Sequence, residues 1–291
     1  VNDNHVADNN PLCVNIFGQT GPEVTIVGLG GEGILRTHGK EKGAQAVIEE
    51  AIAQGITYFD SARVYAGSES YYGLVWSKAP EVRARVFQAS KSASRNRQRA
   101  LADLERSIST LGVDYLDLWQ IHDVRTREEL DVIAGPGGAL EAFQEAKEMG
   151  KTRYIGVTGH HDPDVLATAV LEWPVDSVMI PVNPVEGALG GFLDKTLPTA
   201  REKGIAIVGM KILGSSSYLS AERGITPEKL IRYALSQDIT VAIVGCSTPA
   251  HVRTLASMGR NFQPMSLEEQ DLLVGWFRAY ATKLAYYRGV V

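Results

Sequence analysis

Apolar positions fall into short, nearly unbroken runs that return at a steady interval along the chain. Eight stand out: "VTIVGL" at 24–29, "ITYFD" at 56–60, "RVFQAS" at 85–90, "LDLWQIH" at 116–122, "TRYIGVT" at 152–158, "DSVMIP" at 176–181, "IAIVGM" at 205–210 and "TVAIVG" at 240–245. Each is rich in β-branched and aromatic residues. Parallel strands covered on both faces read this way, because neither face meets water.

Between the runs the period becomes helical. "EKGAQAVIEEAIAQG" (41–55) sets Ala44, Val47, Ile48, Ala51 and Ile52 on one face, with Gly55 as its stop. "RNRQRALADLERSISTLG" (95–112) sets Leu101, Leu104, Ile108 and Leu111 together and stops at Gly112. "GALEAFQEAKEMG" (138–150) and "PTAREKG" (198–204) end the same way. Thr226-Pro227 and Thr248-Pro249 each open a helix with a hydroxyl cap and a proline in the first turn.

Eight strands alternating with helices predict an α/β fold, a closed (β/α)8 TIM barrel rather than an open sheet. Two segments lie outside that count. "LCVNIFGQTGPEVTIVG" reads as an N-terminal hairpin turning at 18–22, and 266–287 as one appended C-terminal helix. Residues 1–11 are polar and aperiodic, hence expected to fray, leaving 12–291 as a single barrel domain. The chain starts at Val1, which suggests that an upstream segment was removed.

Composition narrows the function classes. The formal charge is −5 and no basic run occurs, which argues against a nucleic-acid partner. No apolar stretch approaches the roughly 18 residues of a membrane span. The two cysteines, Cys13 and Cys246, match no metal spacing, and a reducing, cytoplasmic setting is expected.

Barrel chemistry collects at the C-terminal ends of strands. Asp60 ends the second predicted strand, and Tyr65 lies on the loop beyond it. Lys91 follows the third, His122 ends the fourth, and Thr158 ends the fifth, before His160, His161 and Asp162. Taken singly, each has a bland reading as a cap or a solvated side chain. Together, adjacent strands bring Asp60, Lys91 and His122 close, and a buried Lys91 needs a partner that Asp60 supplies. A phenol titrates near 10 in water, and a nearby ammonium would lower that value. Tyr65 could then act as general acid toward a carbonyl that receives hydride, with His122 orienting the carbonyl. Side chains do not supply hydride, so a nicotinamide cofactor is required.

At this point the sequence resembles the aldo-keto reductase superfamily over nearly its whole length. "GITYFDSARVYAGSE", "FQASKSA" and "DYLDLWQIHDV" carry the resemblance, which implies a catalytic tetrad of Asp60, Tyr65, Lys91 and His122. The glycine-histidine pair after strand five and "GMK" on strand seven look like a less characterised bacterial branch. The resemblance also implies a cofactor path. Thr158 and Gly159 stand where Ser-Asn often holds the carboxamide, Met179 where a Gln is usual, and Met210 where an aromatic stacks on nicotinamide. Lys211, Leu213, Gly214 and Ser217, in "MKILGSSS", would lie near the pyrophosphate. Gly245, Cys246, Ser247, Thr248 and His251 match the loop and helix that take the adenosine phosphate. There Gly245 and His251 replace the usual cations, so NADPH is the first expectation and NADH is permitted.

Arg36, Asp123 and His160 are candidate contacts to a small-molecule carbonyl substrate, and the long segments 123–138 and 212–224 should shape its pocket. Two other classes compete. One is a metal-dependent barrel hydrolase using His122, Asp123, His160, His161 and Asp162, although Lys91 would repel the cation. The other is a non-catalytic nucleotide-binding redox sensor, against which the intact tetrad argues. No metal is expected under the reductase reading, and hydride transfer could run in either direction, as in sugar-alcohol oxidation.

Overall fold

A computed structural model describes residues 10–289. Strands β1 (Val14–Ile16) and β2 (Glu23–Thr25) form an antiparallel hairpin, with Ile16 opposite Glu23. Eight parallel strands then close into a barrel: β3 (Val27–Gly33), β4 (Tyr58–Asp60), β5 (Phe87–Ser92), β6 (Leu116–Ile121), β7 (Thr152–Thr158), β8 (Ser177–Pro181), β9 (Ala206–Met210) and β10 (Val241–Cys246). They are joined in chain order, and β10 pairs with β3 to shut the ring.

The predicted run 24–29 is two elements. Val24 and Thr25 belong to the hairpin, and the first barrel strand begins at Val27 and continues to Gly33. The break has a use. The hairpin buries Phe17 and Val24 against Tyr58, Phe87, Leu118 and Val241, which plugs the end of the barrel where the strands start. Phe17 meets the rings of Phe87 and Tyr154 at 4.6 and 5.3 Å.

Side chains alternate along each strand. Tyr58, Ala89, Leu118, Met179 and Val208 fill the barrel, whereas Phe59, Trp119, Val178 and Ile207 pack outward under the helices. Two residues on from an inward position is inward again. Asp60 follows Tyr58, Lys91 follows Ala89, and Met210 follows Val208, so the period of two delivers these residues to the inside of the opposite end.

The predicted helices form. Glu41–Ala53, Arg97–Leu111, Ala139–Glu148, Pro227–Leu235 and Pro249–Arg260 surround the barrel. Thr226 and Thr248 cap theirs by accepting from the backbone N–H groups of Lys229 and His251. The stretch after Asp60 is not all loop: Ser68–Trp76 is helical and buries Tyr71, Tyr72, Val75 and Trp76. The segment 123–138 likewise contains the helix Arg127–Ala134.

The C-terminal helix is shorter than expected. It runs Leu267–Phe277, and the chain then breaks into short turns ending at Tyr286–Arg288. A buried carboxylate ties down the closing turns. Glu186, with no exposed surface, draws in Arg288 and accepts from the Tyr287 hydroxyl at 2.7 Å, which pulls the chain back over the helix Pro184–Leu189. Among the described residues, no helix is long and apolar enough to cross a membrane.

Candidate active site

At the open end of the barrel, Asp60 and Lys91 form an ion pair sealed from solvent. Lys91 Nζ donates to Asp60 Oδ2 at 2.6 Å and to the Ser61 carbonyl at 2.7 Å, and both side chains are at most 2% exposed. The Lys91 ammonium lies 5.0 Å from the centre of the Tyr65 ring. The Arg36 guanidinium lies 4.8 Å from the same ring, and His122 meets it edge-on at 5.5 Å. The four residues foreseen to converge do so.

Burial dominates their proton equilibria. It lowers Lys91 against the pull of Asp60, and raises Asp60 against the pull of Lys91. We take the pair to be ionised at neutral pH, because a contact of 2.6 Å with a second carbonyl acceptor stabilises the charged form. His122 is pushed down to about 3, first by burial and then by the Lys91 charge, so its ring is neutral. The expectation for Tyr65 is corrected. Burial, then the negative charges of Asp60 and Glu32, raises its phenol well above the ordinary value, and Arg36 only partly offsets them. Tyr65 is therefore firmly protonated, as a proton donor must be. Asp60 Oδ1 and His122 Nδ1 are buried without a hydrogen-bond partner.

Two cavities meet at Tyr65. The first, about 280 Å³, runs from Asp60 and Tyr65 past Met179 and Met210 to Lys211, Leu213, Gly214, Gly245 and Ser247. The second, about 350 Å³, is walled by Arg36, His122, Asp123, Thr158 and His160 and shares Tyr65, Met179, Met210 and Lys211. The candidates foreseen for cofactor and substrate thus separate largely into two adjoining spaces.

Five foreseen cofactor positions line neither cavity. Cys246 follows inward-facing Gly245 and so turns outward into the helix-covered core, where burial pushes its thiol up to about 12. Gly159 is buried, and a side chain there would meet the Val124 carbonyl oxygen at 2.8 Å. Ser217 donates back to the Gly214 carbonyl at 2.5 Å. Thr248 is occupied in capping, and His251 sits exposed on the first turn. Arg253 pairs with Glu50 at 3.3 Å, away from the cleft.

Sequence reasoning missed Glu32 and Arg125. Glu32 borders both cavities and pairs with Arg36 at 2.6 Å, and Arg125 lines the second. The signal for the first was the glycine-rich strand around it. A side chain at Gly31 would sit 2.8 Å from Tyr65 Cδ2 and 2.9 Å from the Asp60 carbonyl, so that strand must stay bare for Tyr65 to lie over it.

The first cavity fits a long nucleotide. Its inner end offers thioether and glycine surface beside Tyr65. Its outer end is a backbone turn through left-handed conformations at Lys211, Gly214, Ser215 and Ser216, a geometry that presents N–H groups to anions.

The model of the aldo/keto reductase family matches residues 26–229. The chain belongs to that family. Among curated relatives it is similar to L-galactose dehydrogenase of Arabidopsis thaliana, with 29% identity over 66% of this chain and 62% of the relative. It is also similar to probable aldo-keto reductase 1 of Glycine max, with 27% identity over 68% and 58% of the two chains. The chain thus spans less than two thirds of the length of these relatives. An aldo-keto reductase from Klebsiella pneumoniae in complex with NADPH superposes at a TM-score of 0.74, covering 92% of this chain and 95% of that one at 20% identity. The holo form of an aldo-keto reductase from Bacillus halodurans gives 0.73, covering 94% and 96% at 19% identity. The barrel fold of these structures therefore accounts for nearly the whole chain.

Proposed function

We propose that this chain is an NADPH-dependent oxidoreductase that moves hydride reversibly between nicotinamide and a small carbonyl compound, with Tyr65 as the proton donor. One observation carries the reading: a protonated Tyr65 lies over a sealed Asp60–Lys91 pair, beside a neutral His122, where two cavities meet. The nicotinamide supplies the hydride. The roles below belong to the chain itself.

Met179 and Met210 would pack the reacting end of the cofactor, and the turn at 211–216 would hold its phosphates. A carbonyl seated in the second cavity points its oxygen at Tyr65. As the carbonyl carbon gains hydride, its π electrons move to oxygen, and Tyr65 delivers its proton there. The phenolate left behind is stabilised by the Lys91 ammonium, which Asp60 fixes in place, and by Arg36. His122 offers one N–H and one lone pair to orient the substrate.

One feature supports NADPH over NADH: the relation to an aldo-keto reductase of Schizosaccharomyces pombe described with NADP(+). The polar wall of Arg36, Asp123 and His160 favours a hydroxylated substrate, in keeping with the sugar dehydrogenase among its relatives. Titration with NADPH and with NADH, read by tryptophan fluorescence, tests the cofactor. Tyr65→Phe should keep NADPH binding and lower carbonyl-dependent NADPH oxidation by about 10²–10⁴-fold. Unchanged turnover in that variant would end the assignment.

The hydrolase alternative lacks its full ligand set. Asp162 caps the helix Pro163–Glu172 instead, and His122 stands apart from the Asp123–His160–His161 cluster.

A further inference from the structure

We propose that the barrel mouth holds a second site, for a divalent transition-metal ion of the zinc class, bound by Asp123 Oδ1, His160 Nε2 and His161 Nε2. It stands on geometry alone, and nothing in it depends on the redox chemistry proposed above.

The three residues offer donor atoms that all lie within 4.8 Å of one another. Asp123 Oδ1 is 3.2 Å from His160 Nε2 and 3.4 Å from His161 Nε2. A zinc ion bonded at about 2.1 Å to nitrogen and oxygen in tetrahedral geometry sets its donors roughly 3.4 Å apart. Both spacings to the carboxylate oxygen are those of ligands around one centre.

The tautomer of His160 agrees. Its Nδ1 lies 2.8 Å from the Tyr287 carbonyl oxygen, which can only accept, so Nδ1 carries a proton. In a neutral ring, Nε2 then presents a lone pair to the Asp123 carboxylate. Two lone-pair donors face each other, and a cation between them turns repulsion into attraction. Histidine ligands are commonly held in this way, with the second ring nitrogen donating to a carbonyl.

Asp123 Oδ1 and His161 Nε2 are buried at the atom level, and neither has a hydrogen-bond partner. Other contacts fix the rest of the residue: Arg125 Nε donates to Oδ2 at 2.9 Å, and the Asp123 backbone N–H donates to Thr158 Oγ1. The Arg125 side chain is 54% exposed, so solvent screens its charge. Two imidazoles and one carboxylate suit zinc, cobalt or nickel better than calcium or magnesium, which take mainly oxygen. Three protein ligands leave a coordination position free. Because Asp123 and His160 line the second cavity, that position opens toward the space assigned to substrate.

The test uses the untagged chain, stripped with chelator and dialysed, then titrated with Co²⁺ under visible absorption and with Zn²⁺ by calorimetry. One ion should bind per chain, giving cobalt ligand-field bands that zinc displaces. His161→Gln and Asp123→Asn should each weaken binding at least about tenfold. Zinc should raise the Tm of the parent chain but not of His161→Gln, and equal Tm values in EDTA show the variant to be folded. Absence of the bands overturns the proposal. So does binding that survives both substitutions, since the ion would then sit on other histidines such as His38 or His251. If His161→Gln lowers the Tm in EDTA, His160→Gln takes its place in the same comparison.

Discussion

At the scale of single residues, Lys91 and Asp60 form the most consequential pair. Asp60→Asn leaves a cation buried without its counter-charge, which typically costs about 3–5 kcal/mol, whereas exchanging both members for apolar residues is often far milder. Urea denaturation should therefore show Asp60→Asn less stable than the double variant Asp60→Leu, Lys91→Met. Both should lose carbonyl reduction, because the double variant has no ammonium under Tyr65 and the single variant no longer fixes the Lys91 ammonium there. His122 makes a separate prediction. Its folded value near 3 lies below its unfolded value near 6.5. Between those limits the unfolded chain binds the extra proton, so stability falls as pH drops through that window, by at most about 1.4 kcal/mol per pH unit from this group. His122→Asn should flatten the slope of unfolding free energy between pH 6 and pH 4, and an unaltered slope would assign it to other groups.

At the scale of elements, the hairpin and the glycine strand each carry a test. Phe17 is 2% exposed and fills the closed end of the barrel. Phe17→Ala should cost about 3–5 kcal/mol by the usual cavity penalty while leaving cofactor affinity nearly unchanged, because the cleft lies at the other end. Gly31→Ala should do the reverse. Its new methyl would press on Tyr65 and on the Asp60 backbone, so turnover should drop sharply while thermal unfolding moves less. Much of this scale could be read from the residues. Runs such as "LDLWQI" can hardly be anything but a doubly covered strand, and the period of two along them carried Asp60 and Lys91 to one mouth. The misses have physical reasons. Ser68–Trp76 buries almost every large side chain it has, so its helical period is masked by apolar residues on all sides. The closing turns after Phe277 are fastened through Arg288 to Glu186, some hundred residues earlier, and no local pattern records that partnership. Glu32 and Arg125 came to the cavities through loop and strand geometry rather than through any motif of their own. The outward turn of Cys246 follows from alternation and could have been anticipated once Gly245 was placed inward.

At the scale of the whole molecule, the last described turns are fastened to the mouth. Arg288 and Tyr287 satisfy the buried carboxylate of Glu186, and the Tyr287 carbonyl accepts from His160. Arg288→Ala should leave Glu186 short of its main counter-charge and cost about 3–5 kcal/mol in denaturant melts. It should also loosen the His160 ring, visible as faster hydrogen exchange around 158–161. Cutting the chain after residue 285 should produce the same loosening in stronger form. That fastening also sets a timetable. On the ribosome, β3 through β10 are complete some forty residues before Tyr287 is added, so the nascent barrel can close while His160 still turns freely. The wall of its mouth takes its final form only when residues 286–288 emerge from the exit tunnel, so the polar side of the mouth is finished only after the barrel has been built.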